Sequence, residues 1–172
     1  MCLSVNLDFH KVKNNKPIAL VAKQSILVYK VLEVIGKHYR TPYMLKVINF
    51  DDEYGMFFYK TTRFSIDKLF PYYYPQCHYD VLKGIHSYFV FDEANHTNEH
   101  MKIVDGSNSN IHYAIIPKGS KFYVGSNCDI VSSNLVVFEN ETKYNENKEY
   151  FGDEPIEFSE YYKKFGTELD SK

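Results

Sequence analysis

The chain is predicted to fold as α+β: a mostly antiparallel, strongly bent sheet with a short helix after Phe91 and a C-terminal amphipathic helix. Three observations predict it. Segments with a two-residue period or continuous β-branched character recur along most of the chain. Gly, Pro and Asn punctuate them at short intervals. Helical signals are confined to the residues after Phe91 and to the run from Asp153 to Gly166.

The elements follow in order. Leu3, Val5, Leu7 and Phe9 alternate with Ser4, Asn6, Asp8 and His10, the pattern of a half-buried strand. Lys13 to Lys16 is a polar turn. Ile18–Ala22 and Ile26–Ile35 are apolar and β-branched, and Gly36 ends the second. Thr41-Pro42 opens an extended segment reaching Phe50, because proline biases its predecessor away from helix. Asp51-Asp52-Glu53 is a turn, and Tyr54–Lys60 is a strand. Between Ile66 and Tyr79, Pro71 and Pro75 bracket Tyr72, Tyr73 and Tyr74. Two prolines there forbid a continuous helix or central strand and predict an aromatic surface loop.

Ile85–Phe91, Ile111–Ile116, Lys121–Val124 and Leu135–Phe138 complete the strands. Asp92-Glu93-Ala94 starts a helix with a capping residue and an acid favoured by the macrodipole. Asn95, Thr97 and Asn98 restrict that helix to about two turns. Glu141–Glu149 is polar and acidic, without an apolar period, and reads as a linker. Asp153-Glu154-Pro155 then precedes Ile156, Phe158, Tyr161, Tyr162 and Phe165, with Gly166 as a stop. Residues 1–139 are therefore expected to form one α+β domain, and 140–172 an acidic linker and a C-terminal helix.

Composition narrows the function classes. The chain has 172 residues, long enough for one domain with a real core. Aromatic residues reach 17%, from 16 Tyr and 13 Phe with no Trp. A net charge of -2 leaves no global footprint for nucleic acid, and Lys11, Lys13 and Lys16 form a solvated edge. Cys2, Cys77 and Cys128 are odd in number and widely spaced, which argues against a disulfide framework or a thiolate zinc site. No membrane-length apolar run and no N-terminal leader pattern are seen, so an intracellular setting is expected. Asn95-His96-Thr97 and Asn140-Glu141-Thr142 match the glycosylation sequon, which has no meaning without secretion.

Several motifs bear on chemistry. His96-Thr97-Asn98-Glu99-His100 has the H-x-x-E-H order of inverted zinc peptidases, with the two histidines four apart on one helical face. Its helix-poor residues and the Gly106–Asn110 loop that follows do not supply the expected context; Glu93, His96 and His100 form a looser metal set. Cys2, exposed by removal of Met1, would be an N-terminal nucleophile with its own amine as base. Pro117-Lys118-Gly119 is a turn and not a phosphate-cradling loop.

Two resemblances follow from the strand blocks. Ser25–Leu32, Thr41-Pro42-Tyr43, Gly84–Tyr88 and Ile116–Tyr123 together resemble a family of small uncharacterised proteins of phages and prophage-bearing bacteria, over roughly Ser25 to Phe138. That resemblance implies a phage-type origin and no activity; the abundance of Tyr, Phe, Asn, Lys and Ile fits AT-rich codons, as in a phage or an AT-rich bacterium. The order Gly84–Tyr88, Asp92-Glu93-Ala94, Ile116–Ser120 and a final apolar strand is similar to the second half of ADP-ribosyltransferases. By that resemblance His86 and Ser87 match a hydroxyl strand supporting a nicotinamide pocket. Ser132, Ser133 or Asn134 stands where the family places a glutamate, and Glu139 falls after the strand. Tyr29-Lys30 stands where such enzymes favour Arg or His. Without that carboxylate a developing oxocarbenium charge has no opposite charge beside it.

The sequence thus leads to a phage-type accessory protein that binds a protein partner, as a virion component or a modulator of a host factor. Its expected location is the host cytoplasm or the virion. The alternatives are an ADP-ribosyltransferase-like NAD- or nucleotide-binding protein and a zinc-dependent hydrolase. His86, Ser87, Tyr123 and Ser133 are the expected ligand cleft, Tyr72, Tyr73 and Tyr74 the interaction surface, and His96 and His100 the metal candidates. No cofactor, nucleic-acid partner or membrane association is expected.

Overall fold

The computed structural model describes residues 3–14, 16–42, 46–61, 64–69, 78–104 and 108–170. The chain begins with β1 (Leu3–Ser4), a 3₁₀ turn at Leu7–Phe9 and the small ribbon of β2 (Val12–Lys13) and β3 (Lys16–Pro17). β4 (Leu20–Val21) leads into the ten-residue β5 (Ile26–Ile35). Gly36, at φ 60, turns it back into β6 (His38–Arg40). β7 (Val47–Ile48), β8 (Met56–Lys60), β9 (Ser65–Leu69) and β10 (His78–Lys83) follow. β11 (Ile85–Tyr88) runs into helix α1 (Phe91–Val104), and then come β12 (Ser109–Ile116), β13 (Lys121–Val124), β14 (Asp129–Ser132) and β15 (Asn134–Phe138). α2 (Glu141–Asn147), β16 (Ile156–Glu157) and α3 (Phe158–Asp170) complete the described chain.

The fold is α+β, and its main sheet has 11 strands: the path β4-β13-β14-β11-β5-β12-β15-β8, with β6 and β16 attached at β5 and β7 attached to β6. Every pairing is antiparallel except that of β16 with β5. Alternation along β5 serves two cores. Ile26, Val28 and Leu32 pack with Phe158 and Tyr161 of α3, while Tyr29 and Val31 pack with Ala94 and Met101 of α1. The same division continues in β12 and β15, where Ala114, Ile116, Leu135 and Val137 join the α3 side. Ile115, Val136 and Phe138 meet Tyr144 of α2 on the other. The helices thus cover both faces of an antiparallel sheet, which explains its near-continuous apolar strands.

Four expectations change against the structure. The alternating stretch Leu3–Phe9 is a strand only to Ser4, because the Asn6 side chain accepts from Asp8 N at 3.0 Å and closes a tight turn. The predicted linker Glu141–Glu149 holds helix α2, capped by Asn140, whose side chain accepts from Lys143 N at 2.9 Å, and anchored by the single buried Tyr144. One apolar anchor is too little to make a period. Helix α1 runs 14 residues and not about two turns, since Ala94, Asn98 and Met101 are buried on one face and packing outweighs poor propensity. Gly166 lies inside α3, buried, rather than ending it.

Of the segment predicted as extended from Thr41 to Phe50, Val47–Ile48 is the strand among the described residues. Of the stretch expected as a loop from Ile66 to Tyr79, both ends are strand instead, pairing β9 with β10. The apolar character there belongs to a small sheet of β1, β10 and β9.

The segment after residue 139 is integral to the core. Phe158 and Tyr161 are 3% and 1% exposed in the largest apolar cluster, and β16 pairs with β5. Ser25 ties the junction down: its N and Oγ both donate to the Asp153 carboxylate, at 2.7 and 2.6 Å. Phe158→Ala is expected to lower the unfolding free energy by about 3–5 kcal/mol in urea denaturation. A loss below about 1 kcal/mol would mean that α3 is an appendage.

Candidate functional site

The expected cleft residues lie on or beside adjacent strands but do not face one another. His86 pairs across β11 and β14 with Val131, which pairs in turn with Tyr123 of β13. His86 and Tyr123 therefore share a face with Val131 between them. The His86 ring lies with Nε2 3.0 Å from Asp129 Oδ2 and makes an edge contact to Tyr88. Tyr123 packs against Phe64 and His10. Ser87 points to the opposite face, where its Oγ is buried without a partner among the described residues. Ser133 sits at the corner between β14 and β15, accepting from Lys121 N at 3.0 Å and Asn134 Nδ2 at 3.1 Å. The corner is scaffold.

Asp129 supplies the carboxylate that the sequence reading lacked in this block. Gly125 makes room for it: a Cβ there would lie 2.0 Å from Asp129 Oδ1. Lys30, which the transferase resemblance sets where such enzymes favour Arg or His, lies close by. Only Tyr88 of β11 pairs with β5, and Lys30 Nζ reaches across to donate to the His86 carbonyl at 2.6 Å. Burial drives its pKa down to about 8. The His86 imidazole is held below its ordinary value, first by burial, with the Asp129 hydrogen bond acting the other way and Lys30 adding to the depression. These groups form a buried polar seam within the sheet.

The other sequence candidates separate. Tyr72, Tyr73 and Tyr74 lie outside the described residues, as do Cys2 and Cys77. His96 and His100 are exposed on α1, as is Glu93. Among the described residues no group of three His, Cys, Asp or Glu side chains is placed to hold a metal ion. No described helix is long and apolar enough to cross a membrane.

A cavity of about 410 Å³ opens elsewhere, beside Tyr29. Its origin is topological. β12 occupies one edge of β5 from Ile26 to Glu33, so β6, β11 and β16 must share the other edge. β11 descends to Tyr29 and β16 rises to Leu27, and their ends meet head to head. The two chains then leave on opposite faces, one into α1 and the other into α3, and a gap remains between them.

Six aromatic rings line that gap: Tyr29 and Phe91 on one side, Phe9, Phe89, Phe158 and Tyr162 on the other. They interlock edge to face, with Tyr29 and Phe91 centroids 5.4 Å apart, Phe9 and Tyr162 5.2 Å, and Phe9 and Phe158 5.5 Å. Phe91 and Tyr162 keep 45% and 36% of their surface exposed at the mouth. Asp92 and Glu157 supply the charge, with Ser159 beside them. Burial raises the Tyr29 pKa to about 12, with the Glu157 carboxylate adding to the effect, so the phenol stays neutral at physiological pH. None of His86, Ser87, Tyr123, Ser133 or Lys30 lines the cavity.

No protein-family model, curated protein or solved structure matches the chain. The cavity residues had a partial signal in the sequence: Phe89-Val90-Phe91-Asp92 places aromatics at a strand-to-helix junction. Their meeting with Phe158 and Tyr162 depends on β16, a two-residue strand with no periodicity to detect.

The state of Lys30 is testable. Its folded pKa lies below the ordinary 10.5, so the unfolded chain binds more protons between about pH 8 and 10.5. The burial cost is therefore fully present below about pH 8 and fades as pH rises to 10.5. Lys30→Met removes that cost and the bond to His86, and is expected to stabilise the protein by about 1–3 kcal/mol at pH 7. The advantage should shrink in urea denaturations taken from pH 8 to 10. Destabilisation at pH 7 would show that the bond outweighs burial.

Proposed function

We propose that the chain is a small accessory protein of phage type that binds a protein partner, and that the aromatic cavity between α1 and α3 receives it. The observation that carries this reading is the cavity itself, walled by six rings with Phe91 and Tyr162 exposed at its mouth. Rigid aromatic side chains give large contact area at small entropic cost and dominate binding hot spots. A volume of about 410 Å³ is in the range that admits an anchoring side chain or a small ligand.

The alternatives receive less from the geometry. An ADP-ribosyltransferase-like site would need His86 and Ser87 to serve one pocket, and they point to opposite faces of β11. A zinc hydrolase would need a third ligand near His96 and His100, and the described residues offer none. The origin in a phage rests on composition and on the resemblance of the strand blocks.

Site-specific photo-crosslinking tests the reading. A benzophenone amino acid replaces Phe91 or Tyr162 in cells that produce the protein. Ile103, 80% exposed further along α1, is the control position. The expected result is one shared crosslinked species from positions 91 and 162 that is absent from position 103. Equal crosslinking at all three positions, or none at 91 and 162, would remove the cavity from the binding surface.

A further inference from the structure

The walls and charges of the cavity beside Tyr29 select a kind of ligand. We propose that it binds an alkylated ammonium group, enclosed by the rings of Tyr29, Phe91, Phe158 and Tyr162 and neutralised by Asp92 and Glu157. The inference rests on the partner-binding reading and names the chemistry of the group received.

Three observations converge on a cation. First, aromatic faces carry negative electrostatic potential, and several rings around one space attract a positive charge that is not strongly hydrated. Second, among the described residues the lining contains two carboxylates and no basic residue. Asp92 and Glu157 enter no ion pair among the described residues, so their charge is available to a ligand. The nearby ammonium of Lys30 is turned to the His86 carbonyl and stays outside the cavity. Third, Tyr29 is neutral at physiological pH, its phenol held un-ionised by burial and by Glu157.

Other ligand classes fit less well. The N-termini of α1 and α3 both open at the cavity, and helix N-termini attract anions. Their first turns already carry Asp92, Glu93 and Glu160, so an anion would meet carboxylates with no basic side chain to offset them. A bare ammonium keeps a tight hydration shell that these rings cannot replace. Alkylation spreads the charge over methyl groups that pack directly against aromatic rings.

The test is a ¹H–¹⁵N NMR titration of the full chain at pH 7 and low salt with three probes. Choline represents a free ammonium compound, and Nα-acetyl-Nε-trimethyllysine amide represents a side chain presented by a partner. 3,3-Dimethylbutan-1-ol is the neutral carbon isostere of choline. At least one ammonium probe is expected to shift the amide signals of Tyr29, Phe91 and Ser159 and to bind about tenfold more tightly than the isostere. Which one binds better identifies the source of the group. The double variant Asp92→Asn, Glu157→Gln should lose about tenfold in ammonium binding without changing isostere binding. Its thermal midpoint shows whether it is folded, and the isostere comparison on the unmodified chain needs no variant.

Equal binding of isostere and ammonium would overturn the inference while leaving an apolar binding cavity. Absence of shifts with every probe would overturn it as well. In both cases the crosslinking at Phe91 and Tyr162 still decides the partner-binding reading by itself.

Discussion

Burial of β5 on both faces is the constraint on which the rest of the structure depends. A ten-residue strand with Ile26, Val28 and Leu32 on one side and Tyr29 and Val31 on the other exposes apolar surface in two directions. No single layer can cover it. One layer comes from α1 and the other from α3, so the two ends of the chain's second half must be brought to the same strand from opposite faces. The core therefore includes residues as late as Tyr161, and the C-terminal region is a structural requirement of the sheet.

The edge of β5 imposes the second requirement. Each edge position pairs with one neighbour, and β12 has taken one edge from end to end. β6, β11 and β16 divide the other, each in a short register. Divided edges leave joints. At the joint between β6 and β11, Lys30 spans the widening gap with its ammonium on the His86 carbonyl. At the joint between β11 and β16, Phe89 and Phe158 meet with ring centroids 4.6 Å apart, and aromatic rings line the space left beside them. One joint is closed with a charge and the other is left open as a cavity.

How much of this was legible depends on whether an element explains its own sequence. β5 and β13 were read with their observed bounds, because their strand character is local. α2 was hidden: Tyr144 is its one buried residue, and its start rests on a cap at Asn140. α1 was shortened for a related reason, since Asn98 reads as a helix breaker while in the fold its side chain accepts from Ser109 Oγ at 2.5 Å. The site was less legible than the fold. His86 and Ser87 are neighbours in sequence and so suggested one cleft, whereas strand alternation sends them apart. The cavity joins Phe9, Tyr29, Phe91 and Phe158, four positions on four separate segments, and that meeting is a property of register and edge sharing.

The contrast between the two joints also bears on what kind of protein this is. A catalytic reading would begin from Lys30, His86, Ser87 and Asp129, since depressed pKa values and a buried hydroxyl without a partner are common marks of active sites. Chemistry, however, requires that a substrate reach the group. Most of these side chains are buried, and three of them have a structural reason for their place: Lys30 satisfies a carbonyl where β11 meets β5, and Asp129 holds His86 beside a glycine that admits the carboxylate. The open joint differs from this seam, with access, volume and aromatic walls beside Asp92, Glu157 and Ser159. The proposed binding therefore belongs to the open joint, where Phe91 and Tyr162 are accessible beside the cavity.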